Sequence, residues 1–89
     1  MTKNDLKAVK EWLYYWTGSR KIEKGFRKVS FGCPMAMSLR RKFASTRVNH
    51  LSYSVGPDAY SMKSYKTPES VRKFIADFDY GRLPQYAVR

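Results

Sequence analysis

One cysteine, one histidine and only seven acids stand in a chain of 89 residues that carries eighteen Lys and Arg. Each shortage excludes something. Cys33 has no partner for an internal disulfide, which fits a reducing compartment. Cys33 and His50 together cannot build a zinc site unless several acids converge on them, so no metal is expected. His50 is the sole base a hydrolytic triad could use. It alternates with Ser52 and Ser54, a very common strand pattern, and is expected to face solvent without a catalytic duty. The five glycines sit singly at turns. No Gly-x-x-x-x-Gly-Lys run follows a strand, so a phosphate-cradling loop is absent and no cofactor is expected.

Long apolar runs are missing as well. No stretch approaches the roughly 18 apolar residues of a membrane span. The opening Met1-Thr2-Lys3-Asn4-Asp5 has charges where a signal peptide needs an apolar core. The expectation is a protein that makes no membrane contact and acts in the cytoplasm, its own or that of a host cell.

Aromatics, by contrast, are plentiful: seven Tyr, five Phe and two Trp. A disordered polycation carries far fewer, and these can supply a core. Residues 1–89 are expected to form a single basic domain with a stability on the order of 5 kcal/mol.

The periodicities predict an α+β fold in the order α–(β)–α–β–β–α. A helix near 5–17, capped by Asn4 or Asp5, buries Leu6, Val9, Leu13 and Trp16 and stops at Gly18. Phe26 to Phe31 is a possible third strand with imperfect alternation. Pro34 suits the first turn of a helix near 35–44, on which Met35, Leu39 and Phe43 share a face. A hairpin follows, 48–55 and 59–66, around Gly56-Pro57-Asp58. Leu51, Tyr53 and Val55 share one face of its first strand; its return strand separates Tyr60, Met62 and Ser64 from Ser61, Lys63 and Tyr65. Thr67 as N-cap and Pro68 at N1 open a helix near 68–79, with Val71, Phe74, Ile75 and Phe78 inward and Gly81 as its stop. Residues 82–89 are expected to lie along the surface or stay mobile. Free cysteines are usually buried, so Cys33 is expected to be a small apolar residue rather than a thiolate activated by Arg27, Lys28 and the helix start at Pro34.

The charge distribution carries the functional signal. Half of the bases lie between Arg20 and Arg47, where the only acid is Glu23. Such a concentration exceeds what solubility requires and selects a polyanion or an acidic protein surface. Arg20, Lys21, Lys24, Arg27 and Lys28 fall on a loop and the strand after it. Arg40, Arg41, Lys42 and Arg47 fall at a helix end and its exit. If the two groups meet, they neutralise about four to six phosphates.

Phe26 and Phe31 flank Arg27 and Lys28, an interleaving that stacks on single-stranded bases, although core packing is expected for at least one of them. The run Lys24-Gly25-Phe26-Arg27-Lys28-Val29-Ser30-Phe31 is only a loose echo of the RNA-recognition-sheet motif, and no strand precedes it. On the first helix, the inward stripe leaves some of Trp12, Tyr14 and Tyr15 to point elsewhere. Tyr14 and Tyr15 are therefore candidates for a partner or stacking surface.

These features are read as a non-enzymatic nucleic-acid-binding module, RNA slightly ahead of DNA. The nine bases would contact phosphates, and Tyr14, Tyr15 or Phe26 would stack. Two other classes compete. One is a small accessory protein of viral type that binds and inhibits or modulates a host protein or a nucleic-acid enzyme through its basic and aromatic surface. The other is a small basic endoribonuclease of the ribosome-dependent toxin type, although its expected Tyr-Arg and Gly-Asp-Tyr-Arg strand pattern is missing here.

Overall fold

Helix α1 runs from Lys3 to Thr17 in the computed structural model, which describes residues 1–88. Its cap is Thr2 rather than Asn4 or Asp5. The Thr2 hydroxyl accepts from the Asp5 N–H at 3.1 Å, and the Asp5 carboxylate accepts from the Thr2 N–H at 2.9 Å. Asp5 thus fills the acidic position of a capping box, a role that needs the cap three residues upstream. Gly18 closes the helix with φ 75°, which only a residue without Cβ adopts freely.

Helix α2 is shorter than the sequence pattern suggests, Pro34–Leu39 instead of 35–44. Strand β1, Ser45–Val48, begins too soon after it for the helix to continue. The Thr46 hydroxyl donates back to the Ala36 carbonyl at 2.9 Å, and the chain between them turns to bring Phe43 against Trp16, ring centroids 5.6 Å apart.

Strands β2, Ser52–Gly56, and β3, Lys63–Lys66, complete an antiparallel sheet of order β1-β2-β3. The α+β architecture with its small antiparallel sheet is therefore present, but its strands are distributed differently. Residues 48–55 do not form one strand. The Asn49 side chain accepts from the N–H groups of Leu51 and Ser52, each at 2.9 Å, and reverses the chain between β1 and β2. An Asn that satisfies the backbone in this way competes with a ladder.

Nor is 26–31 a strand. Phe26 N–H donates to the Gly32 carbonyl at 2.8 Å, closing a loop in which Lys28 takes a left-handed φ of 59°. That loop touches the sheet where the Ser30 carbonyl accepts from Val48 N–H, 2.8 Å, at the outer edge of β1.

In the return strand Tyr65 and Lys63 share the face of Tyr53 and Val55, and all four β3 residues stay exposed. Tyr53 pairs with Tyr65 and Val55 with Lys63, so the Tyr60–Met62–Ser64 set does not share the buried face. Tyr60 is fully exposed. On the opposite face Arg47, Ser54 and Ser64 line up across the strands, and the two serine hydroxyls are 2.7 Å apart.

Helix α3, Glu69–Asp79, packs across α1. Thr67 does not cap it; its hydroxyl donates to the Asn49 carbonyl at 2.8 Å and ties the helix entrance to the β1–β2 turn. Val9, Leu13, Met35, Leu39, Val71, Phe74 and Phe78 form the fully buried core, as the helical stripes imply.

Trp12 and Trp16 lie on the sheet rather than in that core, against Tyr53 and Tyr65. A short 3-10 turn, Pro84–Tyr86, then directs the last described residues past Gly25. Gly25 N–H donates to the Tyr86 carbonyl at 2.9 Å and Val88 N–H to the Gly25 carbonyl at 3.0 Å. A Cβ on Gly25 would lie 2.5 Å from the backbone of Gly32, Cys33 and Pro34, so this close approach requires glycine. The C-terminal run is thus hydrogen-bonded through Val88, and Arg89 lies outside the described residues.

Candidate nucleic-acid interface

The loop 19–24 and the end of α2 lie against one another because Arg41 reaches across. Its guanidinium donates to the Lys21 carbonyl at 2.7 Å and to the Ser19 hydroxyl at 3.3 Å, and it pairs with the Glu23 carboxylate. The Ser38 hydroxyl adds a second tether by accepting from Glu23 N–H at 2.8 Å. Between these segments opens a groove of about 620 Å³ bordered by Lys21, Lys24, Arg40 and Arg41, with Ile22, Met37 and Tyr86 among its apolar lining. Two groups of bases that are far apart in sequence do meet here.

Arg40 continues the surface around the corner. Its guanidinium donates to the Phe31 carbonyl at 2.9 Å, and Arg40, Arg47 and Phe31 border a second, smaller depression beside β1. Phe31 is 56% exposed and Phe26 50%, so neither packs in the core, contrary to the expectation for at least one of them. The sequence offers Phe26, with Tyr14 and Tyr15, as stacking candidates. Phe31 is the ring that stands beside two arginines. The only signal for it was its proximity to a basic run, which Phe26 shares.

The other predicted bases do not converge on the groove. Arg20 is folded back on α1, 2.6 Å from the Glu11 carboxylate and 4.0 Å above the Tyr14 ring. The Arg20 hydrogen bond, and to a lesser extent its charge, holds the Glu11 carboxyl below its ordinary range. Arg27 rests on Gly81, and Lys28 borders a separate recess near the end of α3. Lys42 is exposed in the turn after α2 and does not border the groove. Tyr15 is 79% exposed, edge-on to Trp16, while Tyr14 is partly covered by Arg20. Neither tyrosine borders the groove.

Among the described residues, seven of the nine bases form no ion pair; only Arg20 and Arg41 are matched by acids. Charges left without counter-charge at a concave surface raise the local concentration of anions. No group of three His, Cys, Asp or Glu residues that could hold a metal occurs among the described residues. No helix among them is long and apolar enough to cross a membrane.

Cys33 caps α2 instead of presenting a reactive thiol. Its sulfur accepts from Ala36 N–H at 3.5 Å and donates to the Val48 carbonyl at 3.7 Å, and burial pushes the thiol up from its ordinary value. Compared with protein families, curated proteins and solved structures, the chain matches none.

Proposed function

We propose that this protein is a non-enzymatic nucleic-acid-binding module, with single-stranded RNA as the favoured ligand. The observation that carries this reading is the groove bordered by Lys21, Lys24, Arg40 and Arg41, flanked by Arg47 and the exposed Phe31. Phosphates would follow the bases, and Phe31 would stack on an unpaired base at the Arg40–Arg47 end. Among the described residues lining the groove only Glu23 opposes this field, and it is neutralised by Arg41. That leaves about three or four phosphate contacts.

The test is the salt dependence of binding to an RNA oligonucleotide. Three or four contacts on a single strand, at about 0.7 each, give a log–log slope of roughly −2 to −3. Lys21→Gln with Lys24→Gln removes two of them and should flatten the slope by about 1.4. Arg40 and Arg41 are poor choices for this purpose, since both hold backbone carbonyls in place. A slope near zero, or one unchanged in the double variant, rejects the groove as a phosphate site. If material captured from lysate survives nuclease treatment as a stoichiometric protein, an acidic protein surface replaces nucleic acid as the partner.

A further inference from the structure

We infer that the recess between the 26–32 loop, the β1–β2 turn and the end of α3 is a base pocket that prefers guanine. This rests on the nucleic-acid reading and adds to it a means of reading sequence. The recess is about 340 Å³, with an adjoining pocket of about 130 Å³ that shares Lys28, His50, Ile75 and Asp79 with it. Ile75 and Ala76 form the apolar wall of the recess, and Val48 and Cys33 that of the adjoining pocket; Ile75, Val48 and Cys33 are each at most 6% exposed. Lys28, His50, Asp79 and Tyr80 supply the polar rim. An apolar wall with a few convergent polar groups is the usual makeup of a small-ligand site.

Asp79 is the unusual member. Of the seven acids, Asp5, Glu11, Glu23, Glu69 and Asp77 are ion-paired. Asp58 caps its own turn through the N–H groups of Tyr60 and Ser61. Asp79 has no cationic side chain within ion-pair distance among the described residues and accepts only from Lys28 N–H, at 2.9 Å. It is also the last residue of α3, where the helix dipole opposes a carboxylate. Helix stability does not account for it. The Lys28 backbone it holds is left-handed, a conformation costly for a lysine and one that tends to persist where it serves a site.

The chemistry of this rim distinguishes the bases. A carboxylate accepts only. Guanine offers two adjacent donors, N1–H and N2–H. Adenine and cytosine place a ring-nitrogen acceptor beside their amino group, and uracil's one N–H lies between two carbonyls, so each sets a lone pair against the Asp79 charge. Tyr80, 78% exposed, and His50 offer flat faces for stacking. Lys28, with Arg27 lying over Gly81, provides the charge for the attached phosphate.

Amide chemical shifts of the full chain, titrated separately with GMP, AMP, CMP and UMP, test this. GMP should shift Lys28, His50, Asp79 and Tyr80 saturably, and the other three should bind at least about tenfold more weakly. Asp79→Asn can still accept from Lys28 N–H and should keep the melting temperature, yet lose the preference for GMP. Tyr80→Ala, exposed and safe for the fold, should weaken GMP binding by roughly tenfold. Equal binding of all four nucleotides, GMP preference retained in Asp79→Asn, shifts confined to the Lys21–Arg40 groove, or no saturable shift each overturns the pocket. An oligouridine, which has no guanine, separates the two readings. If it binds with the expected salt slope while GMP does not, only the pocket falls; if neither binds, both fall.

Discussion

The indole of Trp12 meets the ring of Tyr53 edge-on, with centroids 5.0 Å apart and planes at 89°. Beside them Tyr53 and Tyr65 stack at 5.4 Å, and Trp16 reaches Tyr53, Tyr65 and Phe43. These rings join α1 to the sheet, and each edge-to-face contact adds about 0.5–1.5 kcal/mol beyond the area it buries. The indole N–H groups of Trp12 and Trp16 are both buried without a hydrogen-bond partner among the described residues. Shape and ring electrostatics, not hydrogen bonds, hold this seam.

Trp12→Phe should therefore cost less than about 1 kcal/mol in urea denaturation, because it keeps a ring at the contact and removes an unpartnered donor. Trp12→Ala should cost about 3 kcal/mol or more, a large share of what a domain of this size possesses. If both variants lose the same amount, the indole nitrogen is hydrogen-bonded after all.

On the outer side of α1, Tyr15→Ser should cost about 0.5 kcal/mol, the low end for an edge-on ring contact, because the ring is 79% exposed beside Trp16. Tyr14→Ser should cost slightly more, about 0.5–1 kcal/mol, through loss of the Arg20 stack. Neither should alter the RNA salt slope, since neither ring borders the groove. A drop in affinity above about 1 kcal/mol for the pair would give α1 its own part in the interface.

Cys33 should be slow to alkylate in the native state at pH 8 and react readily in urea. Burial raises its thiol above the ordinary value of 9.0, so the folded state favours the neutral form. Stability from that preference is complete below the unfolded pKa and is lost as pH rises beyond it toward the folded one. Thermal melts should therefore show the wild type losing stability between pH 9 and higher pH more steeply than Cys33→Ala. Parallel losses in the two proteins would mean the thiol is not the titrating group.

Helix α3 was the most legible element. Val71, Phe74, Ile75 and Phe78 recur at helical spacing, and the structure buries all of them. The α1 stripe was equally plain. The strands were not, because alternation continues unbroken through Asn49 and cannot show that this side chain reverses the chain. Thr67 reads as a helix cap for a similar reason: a hydroxyl next to Pro68 suits that role, and only the approach of the β1–β2 turn offers it the Asn49 carbonyl instead. As for the basic groove, the count of bases was available but their pairing was not. Glu11 stands nine residues from Arg20 and Glu23 eighteen from Arg41. Asp79 and Lys28, the pair at the recess, are 51 apart.

The sequence by itself determined the concentration of positive charge between Arg20 and Arg47, the α+β class and the inward faces of α1 and α3. All of these follow from composition or from periods of a few residues, which local backbone geometry imposes. Which bases share a groove, which are matched by an acid, and which aromatic stands beside free arginines were decided only in three dimensions. Packing a helix onto a sheet brings together residues whose separation along the chain is set by loop lengths, and a loop's path depends on contacts it has not yet made. Arg40 and Lys24 became neighbours because Arg41 and Ser38 tie the 19–24 loop to α2; Lys28 went elsewhere because its N–H is held by Asp79, and Arg27 went with it to lie beside Gly81.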